Sequence, residues 1–212
     1  MTQLTAPPGR EDAVARAIVL NRVTVGYNVV EAVVALVAGV VASSSSLLGF
    51  GLDSVVEVGA ALALTWRLGK ERGGGCMTDF DARANRAVAL SMFGLAGVVS
   101  FQAVGDLVGG HAPDPSPVGI AVAALSLAIM PWLARQKAAL AVPLGSQATA
   151  SEATHTNLCA LMSAVLLVGL GLNAVLHWWW ADPVAALGIA GLAVVAGARA
   201  WRAEAFEDTC CD

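Results

Sequence analysis

The chain has 212 residues, of which 57% are hydrophobic and only 13% charged, with a formal net charge of −4. Its mean hydropathy of +0.70 is far from that of a soluble domain, where about a quarter of residues are charged, so lipid is the expected solvent. No basic run suited to gripping nucleic acid is present, and no alternating strand pattern suits a membrane β-barrel.

Residues 1–16 are polar and lack the apolar core and small-residue cleavage site of a secretory leader, so a cytoplasmic N-terminal segment is expected there. Apolar runs follow over residues 17–42, 46–68, 87–110, 117–134, 156–178 and 183–201. Each approaches the roughly 20 residues that a bilayer-crossing helix needs. The runs are separated by the serines Ser43 to Ser46, the glycines Gly73 to Gly75, the stretch Pro113 to Pro117, the segment Pro143 to Ser151, and Asp182-Pro183. The serine run reads as a plain turn. Short connections make neighbouring helices antiparallel. The expected fold is an all-α integral membrane protein, a bundle of six transmembrane helices over residues 17–203, followed by a short tail, 204–212, that carries Cys210 and Cys211.

Orientation follows from the twelve Lys and Arg residues, because basic loops are retained in the cytoplasm. Arg10, Arg16 and Arg22 precede or open the first span. Arg67, Lys70, Arg72, Arg83 and Arg86 surround the second connection, Arg135 and Lys137 follow the fourth span, and Arg199 and Arg202 follow the sixth. The first, third and fifth connections contain none, which predicts cytoplasmic N- and C-termini in the cell membrane. Trp178 to Trp180 then fall at the outer interface, where aromatic belts form.

A charge at mid-bilayer costs at least about 2.5 to 3.5 kcal/mol, so ionisable residues within the spans are expected to face the bundle and to serve a function. The second span carries Asp53 and Glu57, a spacing that stacks two carboxylates on one helix face, where they repel unless a cation joins them. The fifth carries Glu152, His155 and Cys159, aligned by spacings of three and four. Asp53, Glu57, His155 and Cys159 make a four-ligand set of the kind zinc accepts, and Glu152, near the cytoplasmic end, is expected to be solvated or to act as an auxiliary ligand or gate. These groups bind metal in deprotonated form, so binding releases protons and protonation ejects the ion. Asn28, Glu31, Gln102 and Asp106 read as polar contacts between helices, and His111 and His177 as interfacial residues.

At these positions the sequence resembles the cation diffusion facilitator family. The stretch Ser44-Ser-Ser-Leu-Leu-Gly-Phe-Gly-Leu-Asp53-Ser-Val-Val-Glu57 is similar to the family's Asp-x-x-x-Asp motif after a serine-bearing turn, and His155-Thr-Asn-Leu-Cys159 to its His-x-x-x-Asp motif. The resemblance implies a homodimer that exports a divalent metal in exchange for protons by alternating access. It implies that Asp53, Glu57, His155 and Cys159 hold the transported ion. It also implies that the usual cytoplasmic domain is missing, so that the helices themselves dimerise. Cysteine in place of the second helix-5 aspartate favours Zn2+, Cd2+ or another soft ion over manganese or magnesium. The metal is cargo, and no cofactor is expected. Cys210 and Cys211 are candidates for metal capture, beside the plain reading of an incidental tail.

Two other function classes are compatible with the same residues. One is a non-transporting membrane protein that binds metal as a sensor or buffer. The other is an intramembrane enzyme using Cys159 and His155 as nucleophile and base, disfavoured because nothing in the spacing supplies an oxyanion-stabilising group.

Overall fold

The computed structural model describes residues 10–71, 78–144 and 147–202. They form six helices: α1 (Arg10–Ala42), α2 (Ser45–Glu71), α3 (Thr78–Gly109), α4 (Pro117–Leu144), α5 (Gln147–Leu176) and α6 (Ala181–Arg202). Among the described residues there is no strand, and all six helices contain stretches long and apolar enough to cross a bilayer. This is a multi-pass membrane protein.

Five of the helices run beyond their apolar stretches at the end of the bundle where α1 begins and α6 finishes. The most consequential extension is that of α4, which continues through Arg135 and Lys137 to Leu144 instead of ending near residue 134. Hydropathy marks only the stretch that lipid stabilises, whereas a helix persists wherever side-chain packing supports its hydrogen-bond ladder. Ala13, Val14 and Ala17 at the start of α1 supply that packing, clustering with Leu140 and Leu144 at the end of α4.

At the opposite end each helix stops on a residue in the left-handed region. Ser43 (φ 50°) ends α1, with Ser44 N–H donating to Gly39 O and Ser43 N–H to Val40 O, the paired bonds of a Schellman turn. Gly110 (φ 65°) ends α3 with His111 N–H donating to Asp106 O, and His177 (φ 54°) ends α5 with its own N–H donating to Asn173 O. The next helices are capped at once. The Ser44 hydroxyl accepts from Leu47 N–H (3.2 Å) at the start of α2, and the Ser116 hydroxyl accepts from Gly119 N–H (3.1 Å) at the start of α4.

The serine run is more than a turn. Asp182 on α6 accepts from the hydroxyls of Ser44 (2.7 Å) and Ser46, and from Ser46 N–H (3.4 Å), while the Ser45 hydroxyl donates to Asp106 on α3. The start of α2 is thereby tied to the end of α3 and the start of α6, a role the sequence hides because its partners lie far along the chain.

Helix α2 is central, packing against α1, α3, α5 and α6, and α5 packs against α2, α4 and α6. Their shared interior includes Leu47, Phe50, Met162, Leu166 and Ile189. Close approach depends on small residues: a Cβ at Gly51 would lie 2.8 Å from Leu36 Cγ on α1. The outward faces carry large apolar side chains such as Val30, Val37, Phe101 and Val168, as a lipid-facing surface requires.

Candidate metal site

Because α2 and α5 are antiparallel, successive turns of one meet successive turns of the other in reverse order. Asp53 on α2 faces Cys159 on α5, and the thiol donates to Asp53 Oδ2 at 3.1 Å. One turn further along α2, Glu57 faces the preceding turn of α5, where the Thr156 hydroxyl donates to Glu57 Oε1 at 3.0 Å. His155 Nδ1 is 3.8 Å from Cys159 Sγ, which completes the cluster on the α5 side.

Ligand-type atoms of Glu57, His155 and Cys159 all lie within 4.8 Å of one another, and Asp53 joins them through its contact with the thiol. Asp53, Glu57 and Cys159 are almost wholly buried and His155 half-buried. Asp53 Oδ1, Glu57 Oε2 and His155 Nε2 are buried without a hydrogen-bond partner. Buried polar atoms are ordinarily paired, and leaving one unpaired costs about 1–3 kcal/mol. Three orphaned ligand-type atoms on neighbouring side chains are what a site able to take a cation presents. Two oxygens, a nitrogen and a sulfur form a borderline-soft set that suits a zinc-like ion.

Below this layer, toward the end bearing Arg202, lie two residues whose part in the site the sequence conceals. Lys137 is 1% exposed, and its ammonium donates to Glu152 Oε1 at 3.0 Å and to Thr156 Oγ1 at 3.1 Å. Glu152 is buried, not solvated, and its Oε2 has no hydrogen-bond partner. Thr156 thus joins Lys137 to Glu57 through one hydroxyl. The apolar Ala138-Ala139-Leu140-Ala141-Val142 after Lys137 was the available signal that α4 continues and turns this residue inward.

Toward the other end a second polar layer adjoins the cluster. Glu31 on α1 accepts from Tyr27 (3.0 Å) and from Ser54 on α2 (2.9 Å), and the Ser163 hydroxyl donates to Ser126 on α4 (3.0 Å). Glu31 and Asp106 join helices, as their sequence context suggested, whereas both amide atoms of Asn28 are buried without a partner. His111 and His177 are exposed at the bundle end, apart from the cluster, and Trp178 and Trp180 stack there at 5.1 Å. Cys210 and Cys211 lie outside the described residues.

A six-helix membrane bundle that encloses buried carboxylates, an imidazole and a thiol has the architecture and the donor chemistry expected of a cation carrier. The sequence matches the family model of the cation efflux transmembrane domain over residues 85–206, and with more than half of the chain covered, it belongs to the cation efflux family. No curated protein matches the sequence. The matched segment contains Glu152, His155 and Cys159 but not Asp53 or Glu57, so the α2 half of the cluster rests on geometry.

Proposed function

We propose that the chain exports a divalent transition metal, Zn2+ with Cd2+ or another soft ion as alternatives, from the cytoplasm across the cell membrane in exchange for protons. Membership of a cation efflux family carries the transport of a metal cation across a membrane. The finer reading is supported by one observation above all: donor atoms of Glu57, His155 and Cys159 converge within 4.8 Å beside Asp53, with three of the surrounding donor atoms otherwise unpaired. Asp53, Glu57, His155 and Cys159 hold the ion, and Glu152 serves as an auxiliary residue at the cytoplasmic side.

Proton exchange is built into the ligands. The thiol hydrogen of Cys159 occupies the contact with Asp53, so an ion bridging these residues displaces it, and a returning proton competes with the ion for the same sulfur. Both termini are cytoplasmic in this reading, supported by the Lys and Arg residues gathered at one end of the bundle. A homodimer formed through the helices completes it.

The test is transport in proteoliposomes driven by a pH gradient. Asp53→Ala is expected to abolish zinc and cadmium flux while leaving the protein folded by circular dichroism. Flux at the wild-type rate would remove Asp53 from the site, and metal binding without flux by the wild-type protein would turn the reading toward a sensor or buffer.

A further inference from the structure

The four donors described above leave unexplained a buried lysine one layer away. A lysine with 1% exposure within an apolar bundle is costly unless its charge is balanced, and a cation beside a cation site opposes the ion that the site is built for. Its surroundings are specific. The Lys137 ammonium holds Glu152 Oε1 at 3.0 Å and Thr156 Oγ1 at 3.1 Å, and that same hydroxyl donates to Glu57 Oε1 at 3.0 Å. Glu152 therefore differs from the other carboxylates: one of its oxygens is already occupied by a resident cation, and the other is buried and unpaired.

Resting on the carrier reading, we infer that Lys137 is an affinity-setting residue of the metal site, a tethered ammonium that withholds Glu152 from the ion and offsets one of the three carboxylate charges around it. Its fixed charge weakens the hold on a divalent ion and so permits release. Without it, Glu152 is free to swing its carboxylate toward Glu57 and His155 and to join the coordination shell. A carrier must bind its cargo and also let it go, and a site with four donors and three uncompensated carboxylates would do only the first.

The signs of the effects separate this role from a structural one. Equilibrium Cd2+ titrations would be run on the full-length protein in detergent, comparing wild type with Lys137→Met, Lys137→Arg, Glu152→Gln and the Lys137→Met/Glu152→Gln double variant. Lys137→Met is expected to bind Cd2+ about tenfold more tightly, which is about 1.4 kcal/mol, and to transport it more slowly. Glu152→Gln, which leaves the ammonium unbalanced, is expected to bind about tenfold more weakly. Lys137→Arg keeps the charge and should stay near wild type. The double variant removes both charges and should return to wild-type affinity.

If Lys137→Met and Glu152→Gln both weaken binding, the pair is only a support and the inference is overturned. Should Lys137→Met fail to fold, the double variant decides: restored affinity upholds the inference, and affinity as weak as that of Glu152→Gln marks Glu152 as a direct ligand and overturns it. Absence of Cd2+ binding by the wild type would bring down the carrier reading and this inference together, whereas normal wild-type binding with unmoved variants would refute this inference alone.

Discussion

Replacing Thr156 with Val tests whether the hydroxyl beneath the donor cluster orients a ligand. The two side chains are nearly isosteric and Thr156 is fully buried, so the substitution opens no cavity and removes only polar contacts. Three contacts are lost: the 3.0 Å bond to Glu57 Oε1, the 3.0 Å bond to the Glu152 backbone carbonyl that shares the same hydroxyl hydrogen, and the 3.1 Å bond from Lys137, which retains Glu152. Hydrogen bonds to charged groups contribute about 1.5–3 kcal/mol each, so the apo protein should lose about 3 kcal/mol of stability. The effect on metal affinity has a different origin. Thr156 grips Oε1 and leaves the unpaired Oε2 for the ion, so its bond persists when metal binds, and what the variant loses is the prior fixing of the Glu57 rotamer. Freezing a glutamate side chain costs up to about 1.5–2 kcal/mol, which predicts Cd2+ affinity lower by about 10- to 30-fold. Thermal unfolding in detergent reads the first quantity and Cd2+ titration the second. A lower melting temperature with affinity unchanged would show that Thr156 holds the helices together without positioning Glu57.

Three other substitutions probe separate parts of the molecule. Cys159→Asp replaces sulfur by oxygen and should lower the preference for Cd2+ over Mn2+ by about tenfold or more in competition binding; an unchanged ratio would mean that the sulfur does not touch the ion. Asp182→Ala removes the carboxylate to which the buried hydroxyls of Ser44 and Ser46 donate, at a cost of about 3 kcal/mol, and should lower the melting temperature by about 6–12 °C while Cd2+ affinity stays at the wild-type value. A variant with wild-type thermal stability would show that these bonds contribute little. At Ser43, exposed and at φ 50°, glycine should raise the melting temperature slightly and valine should lower it, because a β-branched side chain is strained in the left-handed region; equal melting temperatures for the two would refute the assigned turn.

The number of spans and their alternating direction were legible because each rests on a local quantity, the hydropathy of some twenty adjacent residues. The carboxylates of α2 and the imidazole and thiol of α5 were legible for a related reason: each pair lies one helical turn apart, and charge within an apolar run marks itself. What escaped the sequence depends on distance along the chain. Ser44 and Asp182 are 138 positions apart and Glu57 and Thr156 are 99 apart, so neither bond has a local signature. Lys137 escaped for a subtler reason. By charge it groups with the lysines and arginines from which orientation is read, yet the apolar residues after it keep α4 helical and carry it into the bundle interior.

The placement of Lys137 bears on how a carrier of this kind can work. Charge near a membrane end has two uses, one in choosing which loops stay inside and one in tuning the ion that passes, and only burial separates them. Arg135, two residues before Lys137, is exposed, as the first use requires; Lys137 is buried against Glu152 and Thr156, as the second requires. A spacing of two on a helix turns side chains by roughly 200°, enough to send one toward solvent and the other toward the donor cluster. On the proposed carrier reading, the affinity of the site is set across three helices, α2 and α5 through their ligands and α4 through its counter-charge. The same reading predicts that a movement sliding α4 along α5 would alter the hold on the ion without displacing a single ligand.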